Sequence, residues 1–362
     1  MSAGRIDQFD GLRAVAFLAV FVFHALFVPL GFLGVDLFFA LSGYLITRNL
    51  LALRDEETAG RAMAVFYFRR LLRIVPAYFL ALAVMLALGK LPAHAAPWYF
   101  GFASNVHDAF GARIDGAPLP MWSIAVEEQF YLVWPLLVLF VPPRRLLPVL
   151  AGAVAVAAVA RWAFAGNHDA VYRLMPCRMD TLALGAILAA LEHPSPVWSG
   201  PPRGGSAGPP WHPALPPASV AALVAVVALG ASIAWRFAIG RALHQPQALP
   251  AGYEVVGYGI TAVGFAALLQ LVRSLERGWL HALLTSPPLR YLGKISYTAY
   301  LVHFVAYELV RDRIASRPLV ALLALAATIA WSSLTWYAME RPLLGLRHLV
   351  PPRASRRPAE VG

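Results

Sequence analysis

Ten apolar runs, at about 11–29, 31–50, 74–89, 121–141, 146–165, 178–192, 217–235, 252–272, 295–312 and 318–339, occupy most of this 362-residue chain. A bilayer core takes about 20 helical residues to cross, so each run reads as a membrane span. In lipid a lone segment satisfies its own backbone only as a helix, which makes the chain all-α and polytopic, with about ten transmembrane helices. Composition agrees: 59% of residues are hydrophobic and 14% charged, where soluble domains average about 45–50% and 25%. With the N-terminus on the cytoplasmic side both termini lie there, and 20 of the 30 Lys and Arg fall on that side, as the positive-inside bias requires. The net charge of +11 belongs to that bias and not to nucleic-acid binding, because no soluble basic domain is present. The first run follows Arg5 and Arg13 without a small-residue cleavage site, so it stays as the first span. One cysteine, Cys177, excludes an internal disulfide and any multi-cysteine metal site, and no metal is expected.

Between the spans, residues 97–106 (PWYFGFASNV) are too few to cross and read as an interfacial or re-entrant piece. Residues 194–217, rich in proline and glycine, read as a flexible cytoplasmic linker, and 346–362 as a disordered basic tail.

Ionisable groups inside spans are costly and mark function by default. His24, Asp36, Glu127, Asp180 and His303 are such groups, and the topology gathers them toward the outer half of the membrane. Arg13 and His24 stand eleven residues apart in the first run. At 100° per residue a helix places both on one face, about 16 Å apart along its axis. Near the cytoplasmic end of that span, FYFRRLLRIVPAY reads as a short amphipathic helix presenting Arg69, Arg70 and Arg73 together. Guanidinium forks bind phosphate, and phospholipid headgroups or a phosphate-rich ligand both answer to that chemistry. Coenzyme A has a phosphorylated head and an arm of about the Arg13–His24 separation. Arginines holding the head would let the arm carry a thioester to His24, a residue able to act as general base. Glu127 is a candidate to orient His24 or to support its imidazolium. There is no G-x-S-x-G elbow and no Walker-type phosphate loop.

Seven stretches in order, FDGLRAVAFLAVFVFHALF, GFLGVDLFFALSGYLIT, FYFRRLLRIVPAYF, MWSIAVEEQFYLVWP, CRMDTLALGAIL, LGKISYTAYLVHF and MERPL, resemble the membrane acyltransferase-3 family. The likeness covers residues 7–345 as one membrane domain. It implies a bacterial inner-membrane enzyme that moves an acyl group, most simply acetyl, from cytoplasmic acyl-CoA to a hydroxyl of a carbohydrate or glycoconjugate. It further implies that Arg13 and His24 are an essential pair, with His24 catalytic. By the same likeness Arg70 and Arg73 form an R-x-x-R that engages acyl-CoA, extended by Arg69, and Glu127 is the carboxylate of a W-S-x-x-x-E motif. Asp36, Trp122, Ser123, Tyr131, Arg178, Asp180, Ser296, Tyr297 and His303 are the acceptor-site candidates. Ser296, Tyr297, Tyr300 and His303 line an acceptor route or simply hold spans together, and Arg178 and Asp180 are placed to pair with one another. Some family members carry a fused extracytoplasmic esterase-like domain; none is expected here, and the chain acts alone or beside a separate partner. The competing reading is a proton-coupled transporter or flippase of lipid-linked sugars, with His24, Asp36 and Glu127 as its relay.

Overall fold

The computed structural model describes residues 6–111, 120–193, 215–238 and 252–350, and among them there are helices and no strands. In chain order the helices are α1 (Asp7–Leu26), α2 (Gly34–Glu56), α3 (Ala59–Ala87), α4 (Ala96–Phe100), α5 (Ser104–Phe110), α6 (Trp122–Phe140), α7 (Pro143–Ala163) and α8 (His168–Arg173). After these come α9 (Met175–Glu192), α10 (Ala218–Ala238), α11 (Tyr258–Arg273), α12 (Trp279–Leu284), α13 (Pro287–Arg311), α14 (Arg317–Thr335) and α15 (Arg341–Gly345). Nine helical stretches among the described residues are long and apolar enough to cross a membrane. A tenth long helix, the 25-residue α13, is more polar than these. It packs against α1, α3 and α14, and its Ser296, Thr298, His303 and Glu308 are buried in the bundle.

Helix faces sort by polarity. On α6, Ser123, Glu127 and Tyr131 recur every fourth residue and share the inward face, while Leu132, Leu136 and Phe140 form an exposed apolar stripe. That division suits a helix with lipid on one side and protein on the other.

Several helix crossings need glycine, among them α2–α9, α1–α13 and, at Gly34 against the Ala16 carbonyl, α1–α2. A Cβ on Gly43 of α2 would lie 1.9 Å from the Leu182 carbonyl oxygen of α9, and one on Gly185 of α9 would lie 2.2 Å from that of Ala40. Likewise a Cβ on Gly293 of α13 would meet the Asp10 carbonyl oxygen of α1 at 1.8 Å. Backbones in contact are what small residues provide where water supplies no driving force.

Several expectations change. The amphipathic stretch around Arg69–Arg73 and the run at 74–89 are one continuous helix, α3, because Pro76 is accommodated within it as proline is in membrane helices. Residues 97–106 divide between α4 and α5, which are pinned inward by Gln129 of α6 through Phe102 and Asn105. Of the tail expected at 346–362, Leu346–Leu349 form a 3-10 turn, and 351–362 lie outside the described residues. The linker expected at 194–217 also lies outside them, except for 215–217.

Candidate active site

Five helices line an inner cavity. α1 contributes Arg13, α2 Phe38 and Ser42, and α3 Arg70 and Arg73. α6 adds Ser123, Glu127 and Tyr131, and α13 adds Ser296, Tyr297 and Tyr300. The cavity joins three guanidinium groups and one carboxylate to a ring of hydroxyls. Ser42 donates to Glu127 Oε1 at 2.7 Å and Tyr131 to Oε2 at 3.0 Å. Arg70 stacks over the Tyr131 ring, 4.8 Å from its centroid. Ser123 and Tyr300 share a 2.7 Å hydrogen bond beside the Pro120 carbonyl.

A second, roomier cavity opens beside it and is lined by Arg13, Arg48, Arg73, Lys294 and Arg347, with Asp10 as its one carboxylate. Trp336 forms part of the wall and lies 5.8 Å from the Lys294 ammonium. It sits at the start of a π-helical turn, Trp336–Glu340, whose other end places Glu340 under the Thr298 hydroxyl at 2.6 Å. Arg13 and Arg73 border both cavities. Asp10 reaches Arg13 at 3.6 Å from one turn earlier on α1.

His24 lines neither of these cavities. Its Nδ1 lies 3.0 Å from Nε2 of His303, and His303 Nδ1 lies 2.7 Å from the Tyr300 carbonyl oxygen. Phe17 and Phe21 set their edges against the His303 ring, and Phe23 and Phe304 flank His24.

The expected cluster of five ionisable groups is therefore three separate groups. His24 and His303 form one. Glu127 stands with Ser42 and Tyr131, so its expected contact with His24 is replaced by hydroxyls from α2 and its own helix. Asp36 and Asp180 belong to a third, buried group behind the inner cavity wall, where Arg178 lies 6.0 Å from the ring centroid of the lining residue Phe39. There Arg178 pairs with Asp36, while Asp180 takes a 2.8 Å ion pair from Arg161, so Arg178 and Asp180 do not pair with each other. Tyr172 and Tyr258 cover the Arg178 guanidinium, and Trp122 packs on Tyr172 instead of lining the cavity. Arg69 is exposed and touches neither cavity, being one residue and about 100° away from Arg70.

The structure adds Ser42, Arg48, Lys294, Trp336 and Arg347 to the candidates, and Arg161 and Arg236 to the buried charges. Arg161 was detectable in sequence as a lone cation in an apolar run. Trp336 was not, because a π turn rather than α periodicity aims it. Among the described residues no three His, Cys, Asp or Glu gather as a metal site would require.

Residues 6–337 match the family model described as an acyltransferase domain. A provisionally named O-acetyltransferase of Staphylococcus aureus strain COL is 28% identical over 93% of this chain and 57% of its own length. The peptidoglycan O-acetyltransferase OatA of Listeria monocytogenes serovar 1/2a is 36% identical over 41% of this chain and 27% of its own. The O-acetyltransferase OatA of Staphylococcus aureus strain NCTC 8325 is 34% identical over 51% and 34%. The chain thus spans little more than half the length of the first of these relatives and less of the other two. No solved structure matches.

Proposed function

This chain belongs to the acyltransferase family whose model it matches over residues 6–337, and on that premise we propose that it is a membrane O-acetyltransferase. Its donor is acetyl-CoA and its acceptor a hydroxyl of a carbohydrate or glycoconjugate. Peptidoglycan, in the name of the Listeria relative, is the first acceptor to test.

The observation that carries this reading is the position of Arg13 and Arg73 on both cavities. The outer vestibule, with five cations and one carboxylate, suits the phosphates of a nucleotide head, which guanidinium groups hold through paired hydrogen bonds. The inner cavity, narrower and carrying hydroxyls and aromatic rings beside its three arginines and Glu127, suits the pantetheine arm. The thioester must extend past the Tyr300 wall to reach His24, which lines neither cavity. The vestibule would face the cytoplasm, where acyl-CoA is made, and the multi-pass chain would sit in the bacterial inner membrane with both termini on that side. Arg69, outside both cavities, has no part in holding the donor.

In the proposed reaction Nε2 of His24 takes the proton of the acceptor hydroxyl as its oxygen attacks the thioester carbonyl. The C–O bond forms, the C–S bond breaks, and the leaving thiolate recovers the proton from His24. Glu127 is the inner cavity's one carboxylate and contributes through the arginines and hydroxyls around it.

Purified protein in detergent or vesicles, incubated with radiolabelled acetyl-CoA and peptidoglycan fragments, should release CoA and label the acceptor in a His24-dependent way. An absence of thioester consumption with every carbohydrate acceptor offered would overturn the proposal. Label retained on protein without acceptor would replace direct transfer by a relay through an acylated side chain.

A further inference from the structure

The two histidines are not equivalent. His303 is fully buried, whereas His24 keeps part of its surface open. The partners of His303 fix its protons. A carbonyl oxygen only accepts, so the 2.7 Å contact between His303 Nδ1 and the Tyr300 carbonyl puts a hydrogen on Nδ1. The Phe17 and Phe21 edges and the Tyr300 ring surround the rest of His303, and no carboxylate hydrogen-bonds it among the described residues. A second proton would bury an uncompensated charge, which is expensive. The Ala299 and Tyr300 carbonyls both face His303, which is therefore the neutral tautomer with its lone pair on Nε2. The 3.0 Å contact with His24 runs from His24 Nδ1–H to that lone pair, the Val20 backbone carbonyl being a second acceptor on the His24 ring.

We propose that His303 is a positioning residue that selects the Nδ1–H tautomer of His24, leaving the His24 lone pair on Nε2, the atom free to take the acceptor's proton. The chain Tyr300 C=O, His303, His24 then does what a carbonyl- or carboxylate-backed histidine does elsewhere: it sets ring orientation and proton location together. When His24 gains the substrate proton, its bond to His303 becomes charge-assisted and stronger, so the pair favours the transition state over the ground state. All three residues lie on two helices locked by the Gly293 crossing, α1 and α13, which holds the register between them.

This inference rests on the proposed role of His24 as base, and the tests separate the two. Glutamine at 303 sets an amide oxygen near the place of Nε2, where it accepts from His24; asparagine reproduces only the Nδ1 position and leaves His24 unanchored. With kinetics normalised to folded, inserted protein, His303→Gln should keep kcat within about tenfold of the parent. His303→Asn and His303→Leu should lose roughly 10²–10⁴-fold in kcat, with the KM for acetyl-CoA little changed. A purely packing role predicts instead that Asn and Gln behave alike, and that outcome overturns the proposal. Independently of turnover, 15N spectra of histidine-labelled protein, with His24 assigned by loss of its signal in His24→Gln, should show a protonated Nδ1 and a bare Nε2. A proton on Nε2 in neutral His24 would overturn the proposal even if transfer proceeds. The expected tautomer in a protein that transfers nothing would fail the proposed activity alone.

Discussion

Ser42 donates a 2.7 Å hydrogen bond to Glu127, and this bond ties α2 to α6 within the inner cavity. It gives Glu127 a role distinct from that of a histidine partner. The carboxylate faces Arg13, Arg70 and Arg73 across the cavity, and two hydroxyls from Ser42 and Tyr131 hold its orientation.

Glu127→Gln keeps the shape and removes the charge, and should cut kcat at least about 10²-fold if the group serves as acid, base or charge stabiliser. Ser42→Ala removes one of two hydroxyl donors and should cost about 1 kcal/mol, roughly a fivefold loss. Glu128 points about 100° away and lines neither cavity, so Glu128→Gln should be milder than Glu127→Gln. Acetyl transfer by the three variants, normalised to inserted protein, checks the order; a Glu128 effect exceeding that of Glu127 reverses the assignment.

Arg73→Ala should raise the KM for acetyl-CoA about tenfold or more, since a hydrogen bond to a charged group contributes about 1.5–3 kcal/mol and its proposed partner is a ground-state phosphate. Arg69→Ala should leave that KM within about twofold, since Arg69 touches neither cavity. Steady-state kinetics with varied donor decide this, and equal effects at both positions would remove the vestibule from the donor path.

Shortening the donor tests the same vestibule from the ligand's side. Lys294→Ala and Trp336→Ala should weaken acetyl-CoA about tenfold while changing acetyl-pantetheine, which lacks the nucleotide, little. If both donors weaken alike, Lys294 and Trp336 act on the fold and not on the nucleotide.

The buried pair of Asp36 and Arg178 predicts a stability effect instead of a catalytic one. Asp36→Asn strands a guanidinium that is 1% exposed and should cost about 3–5 kcal/mol, seen as lower thermal stability in detergent. Adding Arg178→Met should return part of the loss, because the unpaired charge goes with it. A fully stable Asp36→Asn protein would show that the pair is not needed for folding.

The spans were legible because burial in lipid demands long apolar runs, and those runs are local in sequence. The charged partners were less so. Arg69, Arg70 and Arg73 look like one cluster on a helical wheel, yet the bundle takes Arg70 and Arg73 inward and leaves Arg69 outside. The Glu127 partner was misassigned because pairing across helices depends on how α2 and α6 rotate against each other, which no periodicity within either helix records. His24 and His303 were both visible as lone histidines in apolar runs, 279 residues apart, but their contact arises only when α1 and α13 cross. The vestibule residues Lys294 and Arg347 looked like ordinary flanking charge until α13 and the turn after α15 brought them to one wall.

The glycine crossings have a mechanical consequence. Backbones that touch, as those of α2 and α9 do at Gly43 and Gly185, and those of α1 and α13 at Gly293, cannot slide or part without breaking that contact. Each pair behaves as a plank, and the two planks are joined where Gly34 of α2 meets the Ala16 carbonyl of α1. The inner cavity lies between the two planks, with α3 and α6 as its remaining walls. Any widening of the inner cavity must therefore open along the seams beside α3 and α6, and Pro76 and Pro135, each within one of those helices, mark where the flexing is cheapest.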